Sequence, residues 1–167
     1  MKPNYCPKCS GKVKKIEKYV FECVLCKRKE YINPKPTNAI IIENNKGEIL
    51  FAKRKENPKK GFLDLTGGFI NPNETMEQSM MREFQEETGG KLTELKYFGS
   101  YPGNYFFQNE NLYVVVACFI GKLKNKKLMA KDDVEELFFV KKSDIKFDKI
   151  AFEPLKYFLK DYLKNKK

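Results

Sequence analysis

Apolar and polar positions along the chain predict several strands in a fixed order. Apolar runs at residues 39–43 and 49–53, separated by the turn residues 45–47, predict two strands that pair as a hairpin. A short extended segment is expected at 63–65, before two consecutive glycines. Later apolar runs predict further strands near residues 95–99, 112–123 and 135–140.

Two helices are predicted by apolar spacing and by capping residues. Thr75 and Gln78 form a capping-box pair, and Gly89 is placed to end the helix that they begin. This helix is expected to pack on a sheet through Met80, Met81 and Phe84. Residues 154–163 carry the apolar stripe of a surface helix, with Pro154 in its first turn. Strands and helices together place the fold in the mixed α/β class, as a sheet flanked by helices.

The central helix carries a cluster of acidic residues on one face. Glu83, Glu86 and Glu87 stand at i, i+3 and i+4, so their carboxylates are neighbours. Such carboxylates repel one another unless a cation lies among them. Hard oxygen ligands of this kind suit Mg²⁺ or Mn²⁺, which commonly also hold substrate phosphates. The alternative is a solvated acidic face with no bound ion.

Four cysteines near the N-terminus have the spacing of a structural zinc site. Cys6 and Cys9 form one C-x₂-C pair, and Cys23 and Cys26 form a second pair after thirteen residues. Two such pairs can supply four thiolates to a tetrahedral Zn²⁺, which would stabilise a small ribbon. Two disulfides or a redox C-x-x-C motif are the alternatives. Cys118 lies in an apolar run and is expected in the core.

Composition narrows the chemistry and the cell compartment. The 167 residues include 33 basic and 22 acidic ones, a formal charge of +11, and no histidine. The positive charge would attract polyanions, although lysine is abundant throughout the chain. Without histidine, proton transfer falls mainly to carboxylates. The absence of an apolar run of about 18 residues and of an N-terminal signal segment predicts a cytoplasmic protein.

The acidic helix and the loop before it together resemble the Nudix box of the Nudix hydrolases. The pattern is G-x₅-E-x₇-R-E-hydrophobic-x-E-E-x-G, in which the matching positions are Gly68, Glu74, Arg82, Glu83, Phe84, Glu86, Glu87 and Gly89. The last hydrophobic position of the pattern is Gly90 here, with Leu92 the nearest apolar replacement. The segment Tyr31-x-Asn33-Pro34 is similar to the join between ribbon and main domain in zinc-ribbon-bearing members. The resemblance implies a Nudix α/β/α sandwich with a mixed sheet over residues 34–167, preceded by a zinc ribbon over residues 1–33.

The resemblance also implies roles for residues in the box. Glu83 and Glu87 would be the principal ligands of Mg²⁺ or Mn²⁺, joined by the Gly68 carbonyl, and Glu86 would be a third ligand or the base. Arg82 would orient a carboxylate, and Glu74 would support the loop. Family members with an acidic strand after the box complete the site with another glutamate. Glu136 matches that place as ligand or base, and Glu135 is the near alternative.

By the same resemblance, the expected activity is metal-dependent pyrophosphatase chemistry: hydrolysis of the diphosphate in a linked nucleoside diphosphate such as NADH, ADP-ribose or FAD. The aromatic segment 100–109 is predicted to be a loop that either contacts the substrate or covers the core or a dimer interface. Candidate substrate-binding residues are Arg54, Tyr105 and Phe106. The segment shares only part of the downstream motif of NADH pyrophosphatases, so the nucleotide is left open.

The sequence also permits two alternatives to a small-molecule pyrophosphatase. One is removal of a nucleotide cap from RNA, suggested by the positive charge and the ribbon. The other is a non-catalytic module that binds a nucleotide or RNA, against which the intact acidic residues of the box argue. Nudix relatives are often homodimers, and the sequence leaves the oligomeric state open.

Overall fold

The computed structural model describes residues 3–124 and 127–165, which form three separate three-stranded sheets. The first sheet is N-terminal and antiparallel, with strands β1 (Val13–Glu17), β2 (Val20–Cys23) and β3 (Lys29–Tyr31) in that order. The ring of Tyr19, in the β1–β2 turn, makes an edge contact with Tyr113 of the main domain at 5.8 Å between centroids. The predicted boundary after residue 33 falls between this sheet and the next strand.

The main part of the chain contains two sheets and two helices. One sheet has the order β4-β8-β7, formed by β4 (Lys35–Ile42), β8 (Glu110–Leu123) and β7 (Leu92–Phe107), in which β4 and β8 are parallel. The other has the order β6-β5-β9, formed by β6 (Leu63–Asp64), β5 (Glu48–Arg54) and β9 (Val134–Lys141). The helices are α1 (Met76–Thr88) and α2 (Glu153–Lys164), and two short 3₁₀ turns lie before α2, at Lys142–Asp144 and Phe147–Lys149. In the described part of the chain, neither helix is long and apolar enough to cross a bilayer.

The two helices pack against different apolar clusters, which confirms the sandwich. Ile40 and Ile42 of β4 pack in one cluster with Met80 and Phe84 of α1. Ile41, between them in the strand, belongs instead to the cluster that contains the α2 residues. Successive side chains of a strand point to opposite faces, so β4 is covered on both sides. Met81 is 48% exposed, contrary to the packing role expected for it, because it is turned away from the buried stripe.

The predicted hairpin between residues 39–43 and 49–53 is wrong, although both strands exist. The turn forms at Asn44–Gly47, but the two strands share only an isolated bridge between Glu43 and Ile49. Beyond it, β4 pairs with β8 and β5 pairs with β9. Residues 38–42 of β4 and 49–52 of β5 are buried without interruption, so each strand needs apolar partners on both faces, and a two-stranded hairpin cannot supply them.

The predicted aromatic loop at 100–109 is also wrong, because residues up to Phe107 continue β7. The strand pairs with β8 along its whole length, and Gln108 and Asn109 make a two-residue turn with φ of 48° and 61°. Left-handed values at both positions are typical of tight hairpin turns. Pro102 is tolerated because β7 is an edge strand of its sheet. The substrate candidates on this segment therefore sit on a paired strand.

The ends of α1 agree with the sequence. The Thr75 side chain accepts a hydrogen bond from the Gln78 N–H at 3.1 Å, and the Gln78 side chain accepts one from the Thr75 N–H at 2.9 Å. Gly89 ends the helix in the left-handed conformation, with φ of 63°. At Gly90, where the sequence lacks the hydrophobic residue of the box pattern, an added Cβ would lie 2.6 Å from Leu128. Leu128, rather than Leu92 alone, fills the space of the expected apolar side chain.

Two buried threonines differ in whether their hydroxyl groups have hydrogen-bond partners, and this difference can be tested by substitution. Thr66 is 2% exposed, and its hydroxyl is the buried side-chain polar atom that lacks a hydrogen-bond partner among residues 3–124 and 127–165. Thr66→Val should raise the free energy of unfolding by about 1 kcal/mol, because an unpaired hydroxyl is removed at nearly constant shape. Denaturant unfolding of the purified variant measures this change.

The matched control is Thr88→Val, at an equally buried position. The Thr88 hydroxyl donates to the Phe84 carbonyl and accepts from the Gly90 N–H at 3.0 Å. Its loss should lower the free energy of unfolding by about 1–3 kcal/mol, since the Gly90 N–H is left unpaired. Equal effects of the two substitutions would contradict the assignment.

Candidate active site

A cleft of about 330 Å³, here called the acidic cleft, lies between the box, the two main sheets and the start of α2. Its acidic lining residues are Asp64, Glu83, Glu87, Asp132 and Asp133. Gly67, Gly68 and Phe69 of the box loop line it, as do Arg54, Tyr105 and Phe152. Residues distant in sequence thus converge on the acidic face of α1.

Two of the three predicted glutamates of α1 line this cleft. The Glu83 carboxylate lies against Gly68, where an added Cβ would come within 2.6 Å of it. Glu87 is buried, and its Oε2 accepts a hydrogen bond from the Gly67 N–H at 3.0 Å. Gly68 therefore leaves room for a carboxylate that any side chain would displace. Glu86 is exposed and is not among the residues that line the cleft, but Arg82 links it to Glu83.

The Arg82 guanidinium ties the predicted box residues together. Its Nη1 donates to Glu83 and to Glu86, each at 2.8 Å. Its Nε and Nη2 donate to the two oxygens of Glu74, at 2.6 and 2.9 Å. Nη2 also donates to the Phe69 carbonyl at 3.2 Å. Arg82 thus orients two candidate metal-binding carboxylates and attaches the box loop to the helix.

The environment separates the pKa values of the box carboxyls. The hydrogen bonds from Arg82 lower the pKa of Glu74 to about 2. Burial raises the pKa of Glu83, against the hydrogen bond from Arg82. Burial also raises the pKa of Glu87 well above its usual value, and the nearby charges of Asp133 and Asp64 add to the shift. A divalent cation in the cleft would favour the ionised forms, and the carboxylate oxygens are the ligands that Mg²⁺ or Mn²⁺ prefers.

Asn38 of β4 fixes the position of Gly68. Its backbone N–H donates to the Gly68 carbonyl at 2.9 Å, and its Oδ1 accepts from the Gly68 N–H at 3.1 Å. Its Nδ2 donates to the Ser79 hydroxyl at 2.9 Å, which links the strand to α1. A carbonyl oxygen has two lone pairs, so the Gly68 carbonyl keeps one for a metal ion. Asn38 was not identified from the sequence, where the only signal is a polar residue next to an apolar run.

Arg54 lines the cleft but is held by several partners. Its Nη1 makes an ion pair with Asp64 at 2.6 Å, and its Nε donates to the Pro58 carbonyl at 2.8 Å. The guanidinium also lies over the Phe152 ring, 5.1 Å from its centroid. Burial raises the pKa of Asp64 to about 6, against the effect of the Arg54 charge. Arg54 therefore stabilises one wall of the cleft by connecting Asp64, Pro58 and Phe152.

The two aromatic substrate candidates face different cavities. Tyr105 lines the acidic cleft, where its ring packs 5.6 Å from Phe69 and 5.3 Å from Phe152. Phe106, the next residue, is 60% exposed and lines a neighbouring groove. Alternation along β7 explains the separation, since consecutive residues of a strand point in opposite directions.

Glu136, like Glu86, is not among the residues that line the cleft. It is exposed and lies opposite Lys53 in the β5–β9 ladder, where the register then passes over Glu135 to Val134. Glu135 is paired instead with Lys53 Nζ at 2.9 Å. The acidic residues of this segment that line the cleft are Asp132 and Asp133, just before β9. A strand irregularity of this kind leaves no signal in the sequence.

The four N-terminal cysteines converge as their spacing predicts. Their Sγ atoms all lie within 4.8 Å of one another, with Cys6 and Cys26 3.7 Å apart and Cys9 and Cys23 3.5 Å apart. All are free thiols, so disulfides are not formed. A hydrogen bond from the Cys26 N–H lowers the pKa of Cys23 to about 6. The cluster can hold a metal ion. Cys118 is a separate thiol that is fully buried in the core, as expected.

Comparisons with known proteins agree with this geometry. The ADP-ribose pyrophosphatase of Methanocaldococcus jannaschii is 35% identical over 143 residues, covering 84% of this chain and 79% of that protein. The NAD-capped RNA hydrolase NudC of Haemophilus influenzae (strain PittEE) is 36% identical over 103 residues, covering 59% of this chain but only 38% of NudC.

Solved structures give the same result at the level of the fold. A NUDIX hydrolase from Nitrosomonas europaea superimposes with a TM-score of 0.70 at 26% identity, covering 95% of this chain and 92% of that one. The NUDIX domain of Shewanella oneidensis NrtR, solved with ADP ribose, gives a TM-score of 0.67 at 17% identity, covering 81% of this chain and 90% of that one. The family model described as NUDIX domain matches residues 33–162. The chain therefore belongs to the Nudix family.

Proposed function

We propose that this chain hydrolyses the diphosphate linkage of a nucleoside diphosphate derivative, with a divalent metal ion held in the acidic cleft. The observation that carries the proposal is the position of Glu83 and Glu87 beside Gly68 and Gly67, with Arg82 holding Glu83 and Glu86 together. Burial of so much negative charge beside a side-chain-free glycine suits a cation and the phosphates that it binds.

The carboxylates of Glu83 and Glu87, with the Gly68 carbonyl, would hold Mg²⁺ or Mn²⁺, and Glu86 would be a further ligand. When bound, the ion neutralises the diphosphate and lowers the pKa of the attacking water. Arg82 keeps Glu83 and Glu86 in place through its shared Nη1. Asn38 hydrogen-bonds both the carbonyl and the N–H of Gly68, which fixes the Gly68 carbonyl beside β4.

Glu86 is the best-placed acceptor for the proton of the attacking water. It is exposed to solvent and linked to Glu83 through Arg82, whereas Glu87 is buried and already accepts a hydrogen bond from Gly67. A carboxylate suits the role in a chain without histidine. Asp132 and Asp133, which line the cleft, are further candidates beside Glu136 for the additional acidic group.

ADP-ribose is the substrate that the comparisons favour among the three considered. The M. jannaschii relative, named an ADP-ribose pyrophosphatase, is similar over most of both chains. The Tyr105 and Phe152 rings at the edge of the acidic cleft offer faces for a nucleoside. NADH and FAD contain the same diphosphate and remain candidates.

Substitution of the box glutamates tests the reaction. Glu86→Gln and Glu87→Gln should each lower kcat by about 10²–10⁴-fold, because each removes a charge needed for metal binding or proton transfer. The measurement is Mg²⁺-dependent release of a nucleoside monophosphate from ADP-ribose, NADH and FAD.

The matched control for this experiment is Glu77→Gln. Glu77 is an exposed acid in the first turn of α1, outside the cleft lining, and its loss should leave kcat within about twofold. Unchanged turnover in both Glu86→Gln and Glu87→Gln would overturn the proposed function.

For the ribbon we propose a structural Zn²⁺ held by Cys6, Cys9, Cys23 and Cys26. Four thiolates at the observed separations match a closed tetrahedral site with about 2.3 Å from metal to sulfur. A three-stranded sheet of this size buries little apolar surface, so the metal ion would supply its folding energy.

Metal analysis of the freshly purified chain should give one zinc per chain. Cys23→Ser should lower that ratio severalfold, because a tetrahedral site with three thiolates binds zinc more weakly. Cys118→Ser, which alters the buried thiol outside the cluster, should retain full zinc content. A ratio near zero in the unaltered chain would contradict the assignment.

A second candidate function is hydrolysis of a nucleotide cap on RNA. The NudC relatives are named NAD-capped RNA hydrolases, and residues 1–33 of this chain carry nine basic residues but only three acidic ones. Such a charge density attracts a phosphate backbone. In direct competition at equal concentration, NAD-capped RNA should displace NADH if this is the preferred substrate, and failure to do so removes the candidate.

Three further features remain predictions. A cytoplasmic location fits the free thiols of the cluster, which persist where disulfides are reduced. A homodimer is expected only from the family. A binding-only role would require tight nucleotide binding without any Mg²⁺-dependent product.

A further inference from the structure

The outer part of the β7–β8 hairpin, residues 104–113, lies beyond the end of its sheet and is here called the hairpin extension. β4 pairs with β8 only from Lys35 opposite Val114 onward, so within the part of the chain that the structure describes the two strands of the extension pair with each other alone. No residue of the extension is buried, and only Tyr105 and Leu112 are partly covered. A two-stranded hairpin is at best marginally stable in water, so the extension needs support from elsewhere in the molecule.

One face of the hairpin extension contributes to the acidic cleft. Tyr105 lines the cleft, and its ring makes an edge contact with Phe69 of the box loop at 5.6 Å between centroids. Phe69 is attached to the start of β4, where it forms a bridge with Thr37 and where the Ile70 N–H donates to the Pro36 carbonyl at 3.2 Å. The contact between the two rings therefore joins the hairpin extension to the start of β4.

The opposite face of the hairpin extension contacts the N-terminal ribbon. Tyr113 is paired directly with Asn104, so its side chain points away from the face that carries Tyr105. The Tyr113 ring meets the Tyr19 ring at 5.8 Å, with an angle of 78° between the two planes. Among the residues that the structure describes, no other pair of aromatic rings joins the ribbon to the extension.

Tyr19 also fixes the point at which the chain leaves the ribbon. Its carbonyl accepts a hydrogen bond from the Ile32 N–H at 2.8 Å, just after β3. Only a short linker separates this hydrogen bond from the start of β4, to which the box loop is attached. Tyr19 is thus connected through its backbone to the segment that holds Phe69, and through its ring to the segment that carries Tyr105.

The two tyrosines of the ribbon contact stand outside the reaction site. Neither Tyr19 nor Tyr113 lines the acidic cleft. The carboxylates of Glu83 and Glu86 are held by Arg82 of the same helix, not by the hairpin extension. An effect of the ribbon contact on the reaction must therefore pass through the position of Tyr105.

We propose that Tyr19 is a positioning residue for substrate binding: by supporting Tyr113, it holds Tyr105 against Phe69 at the acidic cleft. The inference rests on the proposed diphosphate hydrolysis, in which the Tyr105 ring offers a face to the nucleoside. It gives the ribbon a part in substrate affinity that is separate from its own metal site. The chemical step is not affected, because the carboxylates of α1 keep their partners.

Steady-state kinetics of the full chain with Mg²⁺ tests this role, with whichever of ADP-ribose, NADH and FAD it hydrolyses fastest. Tyr19→Leu and Tyr113→Leu should each raise KM by about 2- to 12-fold, as expected for loss of one aromatic pair, while kcat stays within about twofold. The double variant should raise KM no further than either single variant, because both substitutions remove the same contact. Tyr19→Phe, which keeps the ring, should leave KM unchanged.

Amide hydrogen exchange of the chain without nucleotide measures the same contact independently of activity. Peptides that cover residues 104–113 should exchange faster in Tyr19→Leu and in Tyr113→Leu, whereas peptides that cover α1 should exchange as in the unaltered chain. The metal content of Tyr19→Leu should match that of the unaltered chain, which separates loss of the ring contact from unfolding of the ribbon. Tyr113→Leu gives the same test with the ribbon unaltered.

Tyr5→Leu is the matched control within the ribbon. Tyr5 is 62% exposed and contacts no other aromatic ring in the described residues, so its substitution should change neither KM nor the exchange of residues 104–113. An unchanged KM in both Tyr19→Leu and Tyr113→Leu, or additive effects in the double variant, would overturn the proposal. If the unaltered chain hydrolyses no nucleotide, the proposed function fails instead, and the exchange of residues 104–113 still decides whether Tyr19 supports the hairpin extension.

Discussion

The arrangement of the acidic cleft depends on the hydrogen bonds of the Arg82 guanidinium. Glu83 and Glu86 share one of its nitrogens, while Glu74 takes the opposite edge of the same planar group. A planar donor with several fixed N–H directions can hold carboxylates at set positions, which a lysine cannot do. The carboxylates would otherwise repel one another, and the guanidinium charge among them offsets this repulsion.

A second constraint is the contact between the box loop and β4. The Gly67–Gly68 segment lies so close to the strand that a Cβ on Gly67 would be 2.3 Å from the Asn38 carbonyl oxygen. Gly67 also has a φ of 144°, which side-chain-bearing residues rarely adopt. Through Asn38 and Ser79 the loop, strand and helix become one unit. Gly67 is thus required by the close approach of β4, and Gly68 is required by the position of the Glu83 carboxylate.

The substrate side of the molecule follows from the continuation of β7 into the aromatic segment. Residues 100–107 are a paired strand, so consecutive side chains point to opposite faces of the sheet. The same alternation separates Tyr105 from Phe106. A loop would have placed these rings with less precision, whereas a strand pinned along β8 holds each at a fixed register.

Residue spacing was sufficient to predict the acidic face and the ends of α1 and the cysteine cluster. The carboxylate face of α1, its capping box and its glycine stop follow from spacing along a helix, and the cysteine pairs follow from ligand spacing. Tertiary structure alone decided which strands pair and which distant residues enter the site. β4 and β5 belong to different sheets because burying apolar side chains on both faces of each strand is more favourable than pairing the two across a short turn. Asn38, Asp64 and Asp133 reach the cleft only through that arrangement. Glu136 was implied by the family resemblance and stays a prediction, whereas Asp132 and Asp133 are the acidic residues of this segment that line the cleft. The irregular register of β9 changes which side chains point that way, and no local sequence pattern records it.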